Sequence, residues 1–131
     1  MTSPVLAERR VERLEFDDLS GKWSATVSVS INADEPVFAG HYPDFPIFPG
    51  VCVLECVRRG AEVAAPADAG ILRLAAVEST RFTSAVYPGD VLSIELQWAQ
   101  RGLDWRCSAR VGTDRGPAAS VRLRYQPEEA S

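Results

Sequence analysis

His41 and Glu55 are the two residues whose chemistry and positions could support proton transfer. His41 is the single histidine of the chain and lies in a proline-rich segment, residues 32–49. Proline restricts the backbone, so this segment can hold an imidazole in place. Glu55 follows in a mostly apolar stretch, where a carboxylate is costly to bury without a partner or a task. Together the two side chains could act as a general base and a general acid.

The residues between them could donate hydrogen bonds to an oxyanion. Pro49 and Gly50 open a predicted helix. Its first backbone N–H groups, near Gly50 and Val51, have no intrahelical acceptors and lie at the positive end of the helix dipole. Pro49 fixes the direction in which the chain enters the helix, and Gly50 lets a ligand approach the backbone closely. A carbonyl oxygen that gains negative charge would be stabilised at this position.

Each of these features also has an ordinary structural explanation. A lone histidine is more often structural or exposed than catalytic. Glu55 and Arg59 have the spacing of an i, i+4 ion pair on a helix surface, which contributes about 0.3 kcal/mol. Cys52 and Cys56, on the same helix, fit small hydrophobic side chains better than nucleophiles. Taken by themselves, the residue types are compatible with catalysis and with a purely structural role.

The pattern of apolar residues predicts the elements that would position these groups. Residues 23–31 alternate strictly and predict a half-buried strand. Residues 32–49 predict an ordered loop, because their prolines exclude a helix. Residues 50–65 predict a helix, since Val53, Val57 and Ala61 recur at helical spacing. Turn sequences separate four further predicted strands at 71–79, 90–100, 103–111 and 118–126.

One long apolar helix followed by consecutive strands favours an α+β fold. We expect a long central helix wrapped by a curved antiparallel sheet of about five to six strands. Alternation in residues 103–111 places Leu103 and Trp105 on the buried face of the sheet, and we expect Trp98 in the sheet core as well. The length of 131 residues predicts a single domain, 1–131, with flexible tails at 1–10 and 127–131.

Composition and charge argue against several classes of protein. The net charge is −4, without the basic excess that nucleic-acid binding requires. No apolar run approaches the roughly 20 residues that span a membrane, and the first residues lack the apolar core of a secretory signal. We therefore expect a cytoplasmic protein. Cys52, Cys56 and Cys107 lack the second ligand cluster of a zinc site, so no metal is expected.

Residues 40–55 resemble the signature of the β-hydroxyacyl-acyl-carrier-protein dehydratases of fatty-acid synthesis, a family with the hot-dog fold. That signature has the form GHFP, then P-x-x-PGV, then a helix that bears a glutamate. The similarity continues in the family's RF-x-x-x-V-x-PGD pattern and covers about residues 23–125. The matching residues here are Gly40-His41-Tyr42-Pro43, Pro46-Ile47-Phe48-Pro49-Gly50-Val51, Glu55, Arg81-Phe82-Thr83 and Val86-Tyr87-Pro88-Gly89-Asp90.

The resemblance implies a reaction and a role for each matching residue. A 3-hydroxyacyl thioester on acyl carrier protein would lose water and give the trans-2-enoyl thioester. His41 would remove the α-proton, and Glu55, contributed across a subunit interface, would protonate the departing hydroxyl. The Gly50 and Val51 amides would polarise the thioester carbonyl. The family further implies no metal or organic cofactor, a substrate carried on phosphopantetheine, and a homodimer or a heterodimer with another hot-dog subunit.

The chain departs from the resembled pattern just after Glu55, where Cys56 and Arg59 replace the usual alanine and glutamine. An arginine at position 59 favours an ionised carboxylate and would hinder the acid role unless the guanidinium points away. We therefore expect a divergent member that serves fatty-acid, polyketide or other specialised acyl-chain synthesis. The acyl channel has three candidate residues, Phe48, Phe82 and Tyr87.

Two other functions remain open at this point. The chain could be a non-catalytic hot-dog subunit of a heterodimeric dehydratase, with Arg58 and Arg59 contacting an acidic surface of the carrier protein. An acyl thioesterase on the same fold is the third hypothesis, ranked lower because the spacing of His41 and Glu55 fits the dehydratase pattern.

Overall fold

The computed structural model describes residues 9–17, 22–31, 48–66 and 69–128, and in these residues an antiparallel sheet packs against a helix. The sheet has six strands in the order β1-β2-β4-β5-β6-β3, so β1 and β3 form its edges and it does not close into a barrel. The elements are β1 Arg9–Asp17, β2 Lys22–Ser30, α1 Gly50–Val63, β3 Leu72–Phe82, β4 Val91–Arg101, β5 Asp104–Thr113 and β6 Gly116–Pro127.

The hydrophobic core lies between the inner face of the sheet and one side of α1. Alternate residues of the central strands point inward, as in β4, where Leu92, Ile94, Leu96 and Trp98 are all buried. The helix buries the side that carries Cys52, Val53, Cys56, Val57, Gly60 and Ala61. Each fully buried large aliphatic side chain stabilises the fold by about 1.5–3 kcal/mol relative to exposure.

The three cysteines are part of this core. Cys52, Cys56 and Cys107 are all buried and form no disulfide. Burial raises the pKa of the Cys107 thiol far above its ordinary value, because the thiolate would lose its hydration. A thiol that stays protonated is a poor nucleophile, so Cys107 acts as a small hydrophobic side chain, which matches the role expected from the sequence.

The predicted α+β fold, the helix and the five predicted strands are confirmed. Strand β1 was not predicted: its register against β2 shifts between Val11 and Arg13, and this bulge interrupts the alternation that reveals a strand in the sequence. The expected tails are partly wrong, since Arg9 and Arg10 belong to β1 and Pro127 ends β6. Residues 1–8 and 129–131 lie outside the described residues.

Three smaller expectations are also corrected. The helix ends at Val63 instead of Ala65, and β3 continues to Phe82 beyond the predicted end at Ser79. Leu103, predicted to face the core, is 82% exposed. Arg101 pairs with Asp104 across the β4–β5 hairpin, so Leu103 is one of the two turn residues and its side chain leaves the sheet.

None of the helices that the structure describes is both long and apolar enough to traverse a lipid bilayer.

Gly60 offers a direct test of how α1 packs on the sheet. A Cβ atom built at Gly60 would lie 3.5 Å from the Val27 side chain, an ordinary van der Waals distance. We therefore predict that Gly60→Ala raises the free energy of unfolding by about 1 kcal/mol, because alanine loses less conformational entropy in a helix. Urea denaturation would measure the change. Gly60→Leu, which must displace Val27, should destabilise the protein, and equal effects of the two substitutions would contradict this packing.

Candidate active site

The N-terminus of α1 presents backbone donors that no described side chain caps. Pro49 precedes the helix in an extended conformation, and its carbonyl accepts the N–H groups of Cys52 and Val53 at 2.9 and 3.1 Å. Gly50 and Val51 come too early in the helix for their N–H groups to reach an intrahelical acceptor. These two amides therefore point out of the helix at the positive end of its dipole, as the sequence predicted.

An open cleft of about 410 Å³ lies beside this helix end. Its lining includes Phe48, Gly50, Val53, Phe82 and Val86. The Phe82 ring packs directly over Gly50, and a Cβ atom at that position would come within 3.1 Å of the ring. Glycine is thus required for this close approach. Phe48 and Phe82, two of the three residues predicted to line an acyl channel, lie together in the cleft.

Tyr87, the third predicted channel residue, is not part of this lining. Its ring is 43% exposed and lies beneath the Arg115 guanidinium, whose central carbon is 5.2 Å from the ring centroid. This is a cation–π contact on the turn that follows the cleft.

The turn Val86–Asp90 holds both ends of the segment 32–47. Ile31, which precedes that segment, donates its N–H to the Asp90 carbonyl at 2.8 Å and accepts the Gly89 N–H at 2.6 Å. Phe48, which follows it, donates to the Val86 carbonyl at 2.7 Å. Gly89 adopts a φ of 91°, a conformation that other residues rarely take. One turn therefore fixes where the segment with His41 starts and where it stops.

Asp90 keeps this turn in shape. Its carboxylate is buried and accepts the Tyr87 N–H at 2.8 Å, and both of its oxygens bind the Arg115 guanidinium at 2.7 Å. Arg115 also donates to the Ala85 carbonyl at 3.3 Å. The hydrogen bonds from Arg115 hold the pKa of Asp90 below its usual range, and the Tyr87 amide adds to the effect.

Glu55 lies on the outer stripe of α1, on the side away from the core. The stripe consists of Val51, Glu55, Arg58 and Glu62 at spacings of four, three and four, and Val51 is 72% exposed. The Glu55 side chain keeps 24% of its surface exposed. Its carboxylate therefore lies on the side of the helix that faces away from the core, although most of the side chain is covered.

Arg58 binds both oxygens of the Glu55 carboxylate. Its Nε donates to Oε2 at 3.2 Å and its Nη2 donates to Oε1, while Nη1 donates to Glu62 at 2.7 Å. The bond to Glu55 raises the pKa of Arg58. The sequence suggested Arg59 as the partner of Glu55, and the structure gives this role to Arg58, one residue earlier. To donate a proton to a substrate, Glu55 would have to release at least one of these bonds.

The predicted site residues therefore divide into two groups. One group lies at the start of the helix and consists of Phe48, Pro49, Gly50 and Val51. The other is Glu55, which lies further along the same helix on its outer stripe. His41 lies outside the described residues, so its meeting with Glu55 stays a prediction.

Sequence reasoning missed the role of Asp90 and Arg115. Asp90 was visible as the last residue of the PGD pattern, but nothing in the sequence indicated that an arginine from the β5–β6 turn, 25 residues later, would bind it. Such a pair depends on the strand order, which spacing along the chain does not give.

Comparison with known proteins relates the chain to dehydratases. Residues 17–120 match the family described as ApeI-like, ApeI dehydratase. The chain is 36% identical over 101 residues to the 3-hydroxyacyl-[acyl-carrier-protein] dehydratase FabZ of Actinobacillus pleuropneumoniae, over 72% of this chain and 62% of that protein. It is 33% identical over 129 residues to the FabZ of Thiobacillus denitrificans, over 92% of this chain and 85% of that protein. This chain thus spans less than two thirds of the length of the first of these relatives.

Solved structures with the same fold include the dehydratase heterocomplex ApeI:P from Xenorhabdus doucetiae. The TM-score is 0.68 at 19% identity, and the match covers 91% of this chain and 98% of that one. Hypothetical thioesterases and a hot-dog-like protein also share the fold. The predicted hot-dog fold is therefore confirmed, although likeness at this level of identity concerns the fold alone.

The contact between Gly50 and Phe82 predicts a local rearrangement in Gly50→Ala. Phe82 is 48% exposed, so its ring can move outward to make room for the methyl group. We expect the ring to shift outward by a few tenths of an ångström while the free energy of unfolding changes by less than about 1 kcal/mol. A crystal structure of the variant and urea denaturation would measure the two effects, with Gly60→Ala as the control in which the methyl group has space. A Phe82 ring that stays in place would contradict this expectation.

The Asp90 carboxylate predicts an acid-dependent loss of stability. A group whose pKa is lowered by folding stabilises the protein above its unfolded pKa, and the effect disappears as the pH falls through the folded value. Asp90→Asn should therefore lower the free energy of unfolding at neutral pH by about 1–3 kcal/mol, and its difference from wild type should shrink as the pH falls below the usual carboxyl range. Denaturation at several pH values would measure this. Asp114→Asn, at a side chain that is 89% exposed beside Arg115, is the control and should have little effect.

Proposed function

The chain belongs to the ApeI-like dehydratase family, and we propose on that basis that it removes water from a 3-hydroxyacyl thioester carried on acyl carrier protein. The proposal rests on one observation above all. The family match runs over residues 17–120 and so includes the His41 segment, the uncapped start of α1 and the turn that anchors both. We place the reaction in fatty-acid, polyketide or other specialised acyl-chain synthesis.

In the proposed reaction His41 takes the α-proton, and Glu55 donates its own proton to the β-hydroxyl as the C–O bond breaks. The electron pair of the C–H bond forms the new double bond, and the hydroxyl leaves as water. Negative charge builds on the thioester oxygen while the α-proton departs, and the amides of Gly50 and Val51 would stabilise it. The two aromatic rings of the cleft, Phe48 and Phe82, would contact the acyl chain.

The proposed chemistry needs no cofactor beyond the phosphopantetheine that carries the substrate. Elimination of water moves a proton and a hydroxyl group and changes no overall oxidation state. A base, an acid and oxyanion donors are sufficient for such a step.

We further propose that a second hot-dog subunit completes the site. Glu55 lies on the outer stripe of α1, where a neighbouring subunit could cover it and bring its own His41 segment to the carboxylate. Strand β3 is an edge of the sheet and carries half-exposed apolar side chains at Val77 and Phe82. An unpaired strand edge with apolar residues is a surface that proteins commonly cover. The second subunit can be a copy of this chain or a different hot-dog protein.

One observation favours a second candidate function, that of a non-catalytic subunit in a heterodimer. Arg58 binds both carboxylate oxygens of Glu55, which opposes its use as an acid. The structurally similar ApeI:P assembly is a heterocomplex, so a dehydratase of this fold can contain two different chains. In this alternative the partner would supply the acid and base, and the present chain would support the partner's site.

The dehydratase proposal predicts large losses of activity in two variants. His41→Ala and Glu55→Gln should each lower kcat by about 10²–10⁴-fold, the usual contribution of a general base or acid. The rate would be measured by converting a 3-hydroxyacyl carrier protein to the enoyl form. Mass spectrometry detects this conversion as the loss of one water. Glu62→Gln is the matched control, because Glu62 is the other carboxylate bound by Arg58, and it should retain activity.

The same assay separates the alternatives. Unchanged rates in both variants would exclude the proposed acid and base. The non-catalytic subunit would be supported if the chain is inactive alone and becomes active only with a second hot-dog protein. In that case Glu55→Gln should leave the activity of the pair unaffected. Release of free thiol from an acyl thioester without formation of an enoyl product would instead indicate a thioesterase.

A further inference from the structure

Three exposed arginines lie next to one another on the outer face of the sheet. Arg81 of β3 is directly opposite Ser120 of β6, and Ser120 is directly opposite Arg110 of β5. Arg122 follows two residues after Ser120 and therefore points to the same face. We call Arg81, Arg110 and Arg122 the arginine face. Its members come from three neighbouring strands, so the rigid sheet sets their spacing.

The arginine face lines two adjoining depressions. The first depression has a volume of about 610 Å³, and its lining includes Arg81, Arg110, Ser120 and Glu95. The second depression has a volume of about 430 Å³, and its lining includes Arg110, Arg122, Ser120 and Glu95. Both depressions therefore combine guanidinium groups with a serine hydroxyl, and Glu95 is the acidic residue they share.

These arginines differ from Arg106 and Arg124 of the same sheet in forming no ion pair, although Glu95 lies directly opposite Arg110. Arg106 and Arg124 lie within 3.6 and 3.8 Å of the Glu78 carboxylate, and Arg124 also pairs with Asp104. Within the part of the chain that the structure describes, no ion pair involves any arginine of the arginine face. The chain carries a net charge of −4, yet the two depressions together contain three arginines and one acid, and Glu78, which lies beside Arg122, is paired with Arg106 and Arg124.

The arginine face adjoins the candidate active site. Thr83 lines both the depression of about 610 Å³ and the cleft at the start of α1. Neighbouring residues of a strand point to opposite faces, so Arg81 lies on the outer surface while the Phe82 ring packs on Gly50 inside the cleft. A partner bound to the arginine face would therefore lie beside the opening of the cleft.

We propose that the arginine face is the docking surface for an acidic protein partner, namely the carrier protein that delivers the thioester. This inference rests on the proposed function for the identity of the partner. Guanidinium groups bind carboxylates in bidentate geometry, and clustered charges of one sign steer a partner of the opposite sign into place. The alternative contact expected from the sequence included Arg58, but that side chain is already bound to Glu55 and Glu62.

The test compares charge reversal on the arginine face with charge reversal elsewhere on the same strand. The triple variant Arg81→Glu, Arg110→Glu, Arg122→Glu removes the surface. The single reversal Arg81→Glu is compared with Arg73→Glu, which changes the net charge by the same amount on the same strand, about 26 Å from Arg81 at the usual rise of a strand. Thermal melting would check that all the variants are folded. Binding of purified apo acyl carrier protein, measured by fluorescence anisotropy, requires no turnover.

We expect the triple variant to weaken carrier binding at least about tenfold and Arg73→Glu to leave it unchanged. In the wild type, added sodium chloride should weaken binding, and in the triple variant this salt dependence should largely disappear. KM for a carrier-bound 3-hydroxyacyl substrate should rise in the triple variant, while kcat/KM for the same acyl group on free pantetheine should not change.

Three outcomes are decisive. Carrier binding that is unaffected by the triple substitution would overturn the docking surface even if dehydration proceeds normally. Equal losses in Arg81→Glu and in Arg73→Glu would overturn it as well, because the effect would then reflect overall charge. In the third outcome, carrier binding depends on the arginine face but the protein dehydrates neither substrate. This outcome would support the docking surface and refute the proposed function.

Discussion

The turn Val86–Asp90 pairs with the chain on both sides of the segment 32–47. Its contacts with Ile31 and with Phe48 bring the two ends of that segment to neighbouring residues. Holding two points of a chain together removes the entropy of closing the chain between them. The turn therefore fixes the position of Phe48, and with it the start of α1, relative to Ile31 at the end of β2.

This turn depends on a contact with the β5–β6 hairpin, which lies at the same end of the sheet because the start of β4 pairs with the end of β5. Asp90 is a buried carboxylate, and a buried charge is tolerated only when it is paired and hydrogen-bonded. Arg115, from the hairpin between β5 and β6, supplies the pair in bidentate geometry. The hairpin thereby supports the anchoring turn, and through Arg115 it also binds the carbonyl of Ala85, a residue that lines the cleft. This arrangement explains why a residue far along the sequence belongs to the structural support of the site.

The sequence was informative wherever a feature is local. Alternation revealed four of the six strands and turn sequences outlined a fifth, while the proline and glycine at positions 49 and 50 located the start of the helix. Strand β1 escaped because its bulge breaks the period of two. The partner of Glu55 was misassigned because positions i+3 and i+4 are both within reach on a helix, and only side-chain conformations decide between Arg58 and Arg59.

The proposed docking surface and the cleft lie on opposite sides of strand β3. Arg81 belongs to the proposed docking surface, and the next residue, Phe82, packs over Gly50 at the start of α1. Residues on the outer face can therefore change without altering the packing of the cleft, so the preference for a partner and the chemistry can vary independently. Thr83 is the point at which the two surfaces meet. A substrate tethered to a partner on the outer face would have to pass around the end of β3 at this residue. Access to the cleft would then depend on the length of the tether and would require no movement of the sheet.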